Sequence, residues 1–433
     1  MIRVLESSDQ KGRGELFNSL RARSVVFDSV LLEQVSSIID QVRTRGDEAL
    51  VDYAARFDGV NLKVSELRVS TEQLHKSAAT VSPQVLAALR QAIKNVRTFH
   101  ERQREDSWMI GDEDGSRVGQ RIVPIESVGL YVPGGTAAYP SSVVMNVVPA
   151  QVAGVPRIVV ATPPSTVQNN PAVAVALLEL GVDEVYATGG AQAIAALAFG
   201  TKTIAAVDKI TGPGNKYVAA AKKLVFGVVG IDSIAGPSEV VVVADDSADA
   251  KLMAADLLAQ AEHGEDASAL LITQSRELAA SVVAEIEEQM ENLPRRKIAE
   301  KSLDSFGAIV LVDRILDACE IVNELAPEHV QLITALDEDL ARCINHAGAI
   351  FLGAYTPEAV GDYFAGPNHV LPTGRTARFS SALGVYDFIK RTSVISYSRE
   401  RTLSVAEQIG VLADAEGLQG HARSVRLRAQ VTE

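Results

Sequence analysis

The arrangement of apolar and polar positions changes near residue 125. Up to about residue 120, apolar residues recur at helical spacing, which predicts a mostly helical region. One such helix carries its apolar face on Leu31, Val35, Ile38, Ile39 and Val42. Another is predicted to begin at Ser82 and Pro83, because serine caps a helix and proline fits its first turn. It runs towards Arg104, and Arg45-Gly46-Asp47 predicts a turn between two earlier helices.

From about residue 125 onward, short β-branched runs alternate with alanine-rich helical stretches. In the first series the predicted strands cover residues 127–132, 158–162 and 182–188, and the helices cover 141–152, 172–180, 191–199 and 216–225. In the second series the strands cover 240–244, 269–273, 308–312, 329–333 and 349–352, and the helices cover 248–263, 278–290 and 315–325. Such alternation is typical of parallel strands joined by crossover helices.

The predicted fold class is therefore α/β, with two Rossmann-like parallel α/β units in tandem. A helical N-terminal region precedes them and an extended helical C-terminal tail follows. The predicted boundaries are residues 1–123, 124–235, 236–382 and 383–433. The repeated alternation suggests a duplicated architecture, although the residue-level similarity does not prove it. Within the third segment, residues 353–381 are rich in Gly, Pro, Asn and Thr, which predicts a loop.

Composition narrows the class of protein. The chain has 41 basic and 55 acidic residues, a formal net charge of −14, which argues against a nucleic-acid or anionic-membrane partner. Cys319 and Cys343 are too few for a disulfide framework, and this favours a reducing cytoplasm. No apolar run is long enough to span a membrane, and the N-terminus does not resemble a signal peptide. We expect a cytoplasmic α/β enzyme.

Glycine turns lie between predicted strands and helices. They are Pro133-Gly134-Gly135, Gly189-Gly190 and Gly212-Pro213-Gly214-Asn215. Such turns let a phosphate or ribose approach backbone amides at helix N-termini. None of them is the dinucleotide fingerprint G-x-G-x-x-G, and ordinary α/β turns look similar. The spacing alone leaves a cofactor site and a purely structural role equally open.

A possible metal site lies at the end of the helix predicted over 248–263. Gln260 and His263 are three residues apart, so their side chains share one face and offer an oxygen and a nitrogen that zinc accepts. Gly264 is placed where a left-handed helix cap belongs. Because structural zinc sites normally show four ligands, these residues alone favour a solvated helix end.

Pro327-Glu328-His329 stands at the start of a predicted strand, where Pro327 ends the preceding helix. Histidine can take a proton from an alcohol, and a carboxylate can activate water. Adjacent residues of an extended chain point to opposite sides, so the two would serve separate proton transfers. A polar surface turn is the alternative, which these residues alone favour. Of the other histidines, surface or capping roles suffice for His75, His100 and His346.

Longer segments resemble the histidinol dehydrogenase family. The signature-like part runs from Ile231 to Val240 and continues from Ala254 to His263. Further matching motifs, spread over nearly the whole chain, are 45–50, 128–135, 189–194, 212–215, 327–329, 361–363, 368–372 and the tail from Glu416 to His421. Because these motifs are long and occur in the family's order, the resemblance is specific.

The resemblance implies a set of site residues. It assigns zinc, one per subunit, to Gln260, His263, Asp362 and His421. The resemblance also implies a homodimer whose subunits exchange the tail that carries His421. The substrate pocket consists of Ser238, Gln260, His263, Glu328, Asp362, His369, Glu416 and His421, and the NAD contacts are Tyr131, Gln192 and Asn215. Two nitrogens and two oxygens are acceptable to zinc and leave room for a substrate's imidazole and amine.

The implied reaction is the oxidation of L-histidinol to L-histidine through bound L-histidinaldehyde with two NAD, the end of histidine biosynthesis. His329 acts as the base in both oxidations, and Glu328 activates the water that hydrates the aldehyde. Cys319 and Cys343 lie in predicted helices without a paired base, so we expect no thiol intermediate. The alternatives are a related zinc and NAD dehydrogenase for another polar alcohol, such as a sulfonated diol, a zinc hydrolase, and a nucleotide-binding scaffold.

Overall fold

The computed structural model describes residues 2–23, 27–134 and 139–430. These residues fall into two compact units, which we describe separately. The first unit consists of Met1–Gln103 with Ile125–Phe388, and the second of Arg104–Pro124 with Ile389–Glu433. No helix in the described part of the chain is long and apolar enough to cross a membrane.

Strands and helices alternate through most of the first unit, and the lists that follow cover both units. In chain order the strands are β1 (Arg3–Glu6), β2 (Trp108–Gly111), β3 (Arg117–Pro124), β4 (Ser127–Tyr131), β5 (Arg157–Thr162), β6 (Glu184–Ala187), β7 (Lys209–Thr211), β8 (Gly230–Ile231), β9 (Glu239–Ala244), β10 (Ser268–Thr273), β11 (Ala308–Leu311), β12 (His329–Ile333), β13 (Ala349–Leu352) and β14 (Ile389–Ser396). The α-helices are α1 (Gln10–Arg23), α2 (Ser29–Arg45), α3 (Asp47–Tyr53), α4 (Thr71–Ala78), α5 (Pro83–Glu101), α6 (Pro140–Ala153), α7 (Thr166–Asn169), α8 (Pro171–Glu179), α9 (Gly190–Phe199), α10 (Lys216–Val225), α11 (Ala250–Ala261), α12 (Arg276–Met290), α13 (Arg296–Phe306), α14 (Ala318–Leu325), α15 (Asp337–Cys343), α16 (Glu358–Tyr363), α17 (Arg399–Ala415) and α18 (Gln419–Gln430). Single 3-10 or π-helical turns cover Ala54–Asp58, Val64–Glu66, Ile315–Asp317, Thr376–Arg378 and Val385–Phe388.

Two parallel sheets form the framework of the first unit. The first sheet has the strand order β6-β5-β4-β7-β8, and the second has the order β1-β11-β10-β9-β12-β13. Numbered within its own half, each series of five strands has the order 3-2-1-4-5, and β1 adds an edge to the second sheet. The two sheets therefore repeat one Rossmann-like topology, and the predicted pair of parallel α/β units is confirmed.

The burial of the strands explains why their sequences are apolar on both faces. Every residue of Glu239–Ala244 and of Ser268–Thr273 is buried. Helices cover both faces of a parallel sheet, so its central strands need no polar side. Apolar clusters accordingly lie on both faces of each sheet, and residues of the predicted face of α2, from Leu31 to Val42, pack against the first sheet's helix α9.

Several predicted features need correction or addition. The region 1–123 contains β1, β2 and β3, which the helical pattern did not predict. The predicted loop over 353–381 contains α16, and Asp362 lies on that helix. Helix α11 ends at Ala261, and Gly264 is absent from the left-handed glycines, so the predicted cap at Gly264 is wrong. By contrast, Ser82 does cap α5, and Gly46 separates α2 from α3.

The second unit consists of an antiparallel sheet and two helices. Its strand order is β14-β3-β2, and α17 and α18 follow in the chain. The tail is therefore helical as predicted from Arg399 onward, but it opens with a strand, Ile389–Ser396, paired along its length with Arg117–Pro124. Gly417, with φ of 76°, lies between the two helices.

Candidate active site

A cleft in the first unit lies between the two parallel sheets. One wall consists of loops that follow strands of the first sheet, including Gly134, Gly212 and Asn215. The opposite wall consists of residues that precede or begin strands of the second sheet, including Ser238 and His329. Its volume of about 480 Å³ is in the range of small-molecule sites. The carboxyl edge of one sheet thus faces the amino edge of the other.

Local backbone geometry places Glu328 and His329 at the mouth of β12. Helix α14 ends at Leu325, and Ala326, with φ of 48° and ψ of 58°, forms a left-handed cap before Pro327. The carbonyl of Glu328 accepts a hydrogen bond from Ala349, the first residue of β13. His329 lies opposite Val240 of β9 on its other side. Both predicted catalytic residues are therefore held at the start of a central, fully paired strand.

The His329 ring is buried and neutral. Its Nδ1 atom lies 3.0 Å from the backbone oxygen of Glu239, and a carbonyl oxygen only accepts, so Nδ1 carries the hydrogen. The Nε2 atom therefore has a free lone pair, and no hydrogen-bond partner for it exists within the described ranges. Burial lowers the pKa of His329 to about 3. The ring accordingly presents an unprotonated nitrogen to the cleft at neutral pH.

Glu328 is buried beside a supporting ion pair. One of its carboxylate oxygens accepts a hydrogen bond from the backbone N–H of Glu239 at 3.1 Å. The Glu239 side chain in turn pairs with Arg23 at 2.9 Å, and both are nearly inaccessible. Burial, followed by the carboxylates of Glu358 and Glu239, raises the pKa of Glu328 well above its usual value. A carboxyl group with a raised pKa is suited to general acid–base catalysis near neutral pH.

Three side chains in the cleft form a potential metal-binding group. The ligand atoms of His263, Glu358 and Asp362 all lie within 4.8 Å of one another. Burial raises the pKa of Asp362 to about 6 and that of Glu358 well above its usual value. After burial, the second cause of the raised pKa of Glu358 is the neighbouring carboxylate of Asp362.

The charges around this group fit a divalent cation. Desolvation by the surrounding protein lowers the pKa of His263, so its imidazole is available as a neutral ligand. The neighbouring carboxyls of Glu358 and Asp362 repel each other when ionised, and a bound cation would compensate for that repulsion. Nitrogen and oxygen donors together suit zinc.

Gln260 reaches this group from α11. Its side chain is fully buried, and one end of its amide lies 2.9 and 2.8 Å from the two Glu358 carboxylate oxygens. We assign the amide nitrogen to this end, from which it donates to both oxygens. An amide oxygen in that position would face only acceptors, which decides the orientation of the amide. Sequence reasoning did not include Glu358. Its spacing of four residues from Asp362, on one face of α16, was the available signal.

Two further predicted pocket residues lie in the same cleft. Ser238 lines it just before β9. His369 lines it as well, and its Nδ1 donates to the backbone oxygen of Asp362 at 3.0 Å. Burial lowers the pKa of His369 to about 4, so this ring is neutral with a free Nε2 lone pair. The structure therefore brings Ser238, Gln260, His263, Glu328, His329, Asp362 and His369 together.

The predicted NAD residues are divided between the cleft and the layer beneath it. Asn215 lines the cleft and caps α10 through its side-chain oxygen. Tyr131 and Gln192 are buried, and the Tyr131 hydroxyl accepts a hydrogen bond from the N–H of Gly190 at 3.0 Å. Burial raises the pKa of Tyr131 to about 12. Gly135, which belongs to a predicted glycine turn, lies outside the described residues.

A buried ion pair supports the turn that precedes Asn215. Lys222 of α10 pairs with Asp232, and both side chains are almost completely inaccessible. The Lys222 ammonium donates to the backbone oxygen of Gly212 at 3.0 Å, and the N–H of Gly212 donates to Asp232 at 2.8 Å. Gly212 has φ of 112°, which only glycine adopts readily. Sequence reasoning missed both charged residues.

Glu416 and His421 belong to the second compact unit. Glu416 caps the end of α17, His421 lies in the first turn of α18, and both are exposed. Their assignment to the substrate and metal sites stays a prediction.

Comparison with known proteins agrees with the resemblance found in the motifs. A family model described as histidinol dehydrogenase matches residues 21–429. The histidinol dehydrogenase of Geobacillus kaustophilus is 53% identical over 400 residues, which cover 92% of this chain and 94% of that protein. That of Bacillus subtilis is also 53% identical, over 395 residues covering 91% and 92%.

A solved structure agrees as well. The crystal structure of histidinol dehydrogenase from Elizabethkingia anophelis has a TM-score of 0.93 at 34% identity, with 99% of this chain and 98% of that one covered. The chain belongs to the histidinol dehydrogenase family. As a member of that family it is an oxidoreductase, and the predicted class of enzyme is confirmed.

His100, which the resemblance did not assign to the site, has a different environment from the one predicted for it. His100 is completely buried, whereas the sequence suggested a surface or capping role. Its Nδ1 donates to the carbonyl of Val96 at 2.8 Å, and the amide of Asn368 approaches its Nε2 at 3.4 Å. Asn368 precedes His369, so His100 supports the loop that carries a pocket residue. The charged residues around His100 in the sequence concealed its position on the inner face of α5.

Proposed function

We propose that this protein oxidises L-histidinol to L-histidine in two successive steps, with zinc bound in the cleft and two NAD consumed per substrate. The observation that carries the proposal is the position of the His329 ring. Its unpartnered Nε2 atom lies 4.0 Å from the Asp362 carboxylate, beside the potential metal-binding group. A base, a cation site and a glycine-lined wall thus share one cleft.

Zinc would be held by Gln260, His263, Asp362 and the tail residue His421. When bound, it supplies a fixed charge that orients the imidazole and amine of the substrate. Ser238 and His369 line the same cleft and would hold the rest of the substrate, with Glu416 from the tail. The hydrogen bond from His369 to the Asp362 backbone fixes the metal-binding helix relative to the substrate-binding loop.

In the first oxidation, His329 removes the proton of the substrate's hydroxyl group through Nε2 as hydride leaves the carbon atom. NAD, when bound, accepts the hydride in each oxidation. The hydrogen bond from Nδ1 to Glu239 keeps the ring in the tautomer that this step requires. The products are the bound aldehyde, one NADH and a proton on His329, which is then released.

In the second oxidation, Glu328 takes a proton from the water as it adds to the aldehyde carbon and returns a proton to the aldehyde oxygen, giving the neutral hydrate. His329 then takes a proton from the hydrate as a second hydride leaves the same carbon. The overall reaction consumes the alcohol, one water and two NAD, and yields the carboxylate, two NADH and three protons. The buried backbone contact of Glu328 with Glu239 holds its carboxyl in the wall of the cleft rather than in solvent.

NAD would bind against the wall of the cleft formed by the first sheet. The N-termini of α9 and α10 follow glycine turns there, and backbone amides at such termini favour phosphate groups. We assign Tyr131, Gln192 and Asn215 to NAD. Tyr131 fixes the Gly190 turn through its hydroxyl, and the Lys222–Asp232 pair fixes the Gly212 turn.

The tail would be exchanged between two copies of the chain. Within the second unit, Ile110 and Ile395 pair with Val118 from the strands on either side of it and are 61% and 72% exposed, and Leu412 is 68% exposed. Apolar surface of this kind marks protein interfaces. These exposed residues lie in the unit that also carries Glu416 and His421, which supports a homodimer in which each tail completes the other copy's site.

The test is an assay of the zinc-loaded protein with excess NAD and limiting histidinol. We expect two NADH per histidinol, and loss of turnover after removal of the metal by a chelator. One NADH per histidinol with accumulation of free aldehyde would contradict the two-step scheme. Faster oxidation of a sulfonated diol than of histidinol would instead favour the related dehydrogenase.

Tail exchange has a separate test. Heterodimers of His421→Ala and His329→Gln chains contain one site with both defects and one with neither, if each tail serves the partner. Mixing the two inactive variants is therefore expected to restore part of the activity. No recovery in verified heterodimers would contradict the exchange.

A further inference from the structure

The Glu358 carboxylate is committed to the Gln260 amide. Glu358 is 6% exposed, Gln260 is fully buried, and the amide nitrogen donates to both carboxylate oxygens at 2.9 and 2.8 Å. The nearest nitrogen of His329 is 3.8 Å from Glu358, and its hydrogen is already donated to Glu239. The main polar partner of Glu358 is therefore the end of Gln260 that cannot bind a metal.

The chemistry of an amide gives this contact a consequence. An amide has one donor end and one acceptor end, and only the oxygen ligates a cation. Once ionised beside a bound cation, the Glu358 carboxylate accepts hydrogen bonds but does not donate them, so it selects the nitrogen and turns the oxygen away from itself. We propose that Glu358 is a positioning residue that locks the Gln260 amide with its oxygen directed to the zinc.

The position of Glu358 in the fold supports this role. Glu358 and Asp362 are one helical turn apart on α16, so the same short helix carries a metal ligand and the residue that orients a second ligand. Residues behind metal ligands commonly fix their orientation in this way. The inference rests on the proposed zinc site and deepens it. The competing assignment makes Glu358 itself a ligand, since it lies within 4.8 Å of His263 and Asp362.

A double-mutant cycle on zinc affinity distinguishes the two assignments. Zinc dissociation constants are measured by competition with a chromophoric chelator for the parent, Glu358→Ala, Gln260→Ala and the double variant. If Glu358 acts through Gln260, Glu358→Ala weakens zinc binding about 10- to 100-fold in the parent and about threefold or less once Gln260 is absent. An equal loss in both backgrounds would overturn the positioning role.

Two further variants protect the test against misfolding. Glu358→Gln keeps an oxygen that accepts from Gln260, so we expect a smaller loss of affinity than with alanine. Asp245→Asn is the control, because Asp245 follows β9 at the end opposite Glu239 and accepts hydrogen bonds from Ser247 and Ala335 instead. It should change zinc affinity by less than about threefold. Equal losses in the glutamine, alanine and control variants would overturn the proposal.

The cobalt(II)-substituted protein supplies a readout that does not depend on turnover. Loss of the Gln260 oxygen changes the coordination of cobalt, so Glu358→Ala and Gln260→Ala should give the same altered visible spectrum. Different spectra would overturn the proposal. A parent protein that binds no stoichiometric zinc would overturn the proposed zinc site as well. If the parent binds zinc but the losses of zinc affinity in the two single variants simply add in the double variant, only the role of Glu358 would be overturned.

Discussion

The two halves of the first unit share one topology but present opposite edges to the cleft. The first half, β4 to β8 with its loops, contributes the turns after its strands, such as the one at Gly212. The second half, β9 to β13 with its loops up to Arg378, contributes residues at the start of its strands, such as His329. Open α/β sheets usually bind ligands at carboxyl ends. Only the first half follows that rule.

The difference separates two kinds of chemistry. At the carboxyl edge of the first half, glycine turns and helix N-termini present backbone amides, which suit an anionic dinucleotide. At the amino edge of the second half, buried side chains provide carboxylates and neutral imidazoles, as in Glu328 and His329. Desolvated carboxylates favour a cation and transferable protons. The same fold can therefore hold a cofactor on one side and a reacting group on the other.

Backbone conformation shows the same division. Positive φ angles in the first half belong to glycines, among them Gly190 and Gly212. The non-glycine positive φ angles in the described residues are those of Ala326 and Arg375, and both lie in the second half. Ala326 immediately precedes Pro327 and the two proposed catalytic residues. Strained backbone of this kind tends to occur at functional sites, where the surrounding structure maintains it.

Removal of the base should have the largest effect and should be confined to the second half. His329→Gln keeps a side-chain donor for the Glu239 carbonyl but loses the Nε2 lone pair. We expect NADH formation to fall by about 10³-fold in both oxidations, because positioned bases contribute about 10²–10⁴-fold. Stopped-flow absorbance with histidinol and with histidinaldehyde measures the two steps. A change of more than about threefold in the NAD dissociation constant would contradict the separate roles of the two halves.

Glu328→Gln should separate the two steps. The amide retains an oxygen for the N–H of Glu239 but cannot activate water. We expect oxidation of the aldehyde to slow by about 10²-fold, and oxidation of the alcohol to change little. Single-turnover measurements should show a burst of one NADH before a slow second phase. Equal slowing of both phases would refute this division of labour.

The sequence predicted the layers of the fold more completely than the site. Both parallel sheets and the bounds of α10, Lys216–Val225, follow from local periodicity, because buried parallel strands and amphipathic helices carry their signal along the chain. The strands Arg117–Pro124 and Ile389–Ser396 were missed. They pair across a separation of more than 260 residues, and their partners are not visible in local sequence.

The site residues needed the family resemblance rather than periodicity. Glu328 and His329 alone resembled a surface turn, because nothing near them in sequence indicates that β9 and β13 bury them on both sides. Glu358 and the Lys222–Asp232 pair were missed because their roles come from contacts with residues distant in the chain, such as Gln260. Spacing identifies residues on one helix face, but it does not identify what faces them.

Disruption of the buried ion pair should affect the first half alone. Lys222→Met fills the same space but leaves Asp232 unpaired and removes the bond to the Gly212 carbonyl. We expect a loss of about 3–5 kcal/mol in the free energy of unfolding and a rise of about tenfold in KM for NAD. The zinc dissociation constant should not change. Lys223→Met, in an exposed neighbour, is the control, and an equal effect there would contradict the role of the pair.

A smaller effect on the free energy of unfolding is expected from relieving the strained backbone at Arg375, in the second half. Arg375 has φ of 71°, and a non-glycine residue in this region costs roughly 1–2 kcal/mol. Arg375→Gly should raise the free energy of unfolding by about 1 kcal/mol, measured by urea denaturation. Arg375→Ala removes the same charge but keeps the strain, so it should give less than about half of that gain. Equal gains would assign the effect to the charge.

The smallest effect on activity is expected at the cysteines. Burial, followed by the neighbouring Cys343, raises the pKa of the Cys319 thiol to about 11, whereas Cys343 is exposed. The thiolate is the reactive form, so alkylation of Cys319 should be slow at pH 8 and accelerate about tenfold per unit as pH rises towards 11. Mass spectrometry after iodoacetamide treatment should find Cys343 modified first. The double variant Cys319→Ser/Cys343→Ser should keep both oxidations, because the proposed mechanism assigns its proton transfers to His329 and Glu328. Selective loss of aldehyde oxidation would instead show that a thiol takes part in the second oxidation.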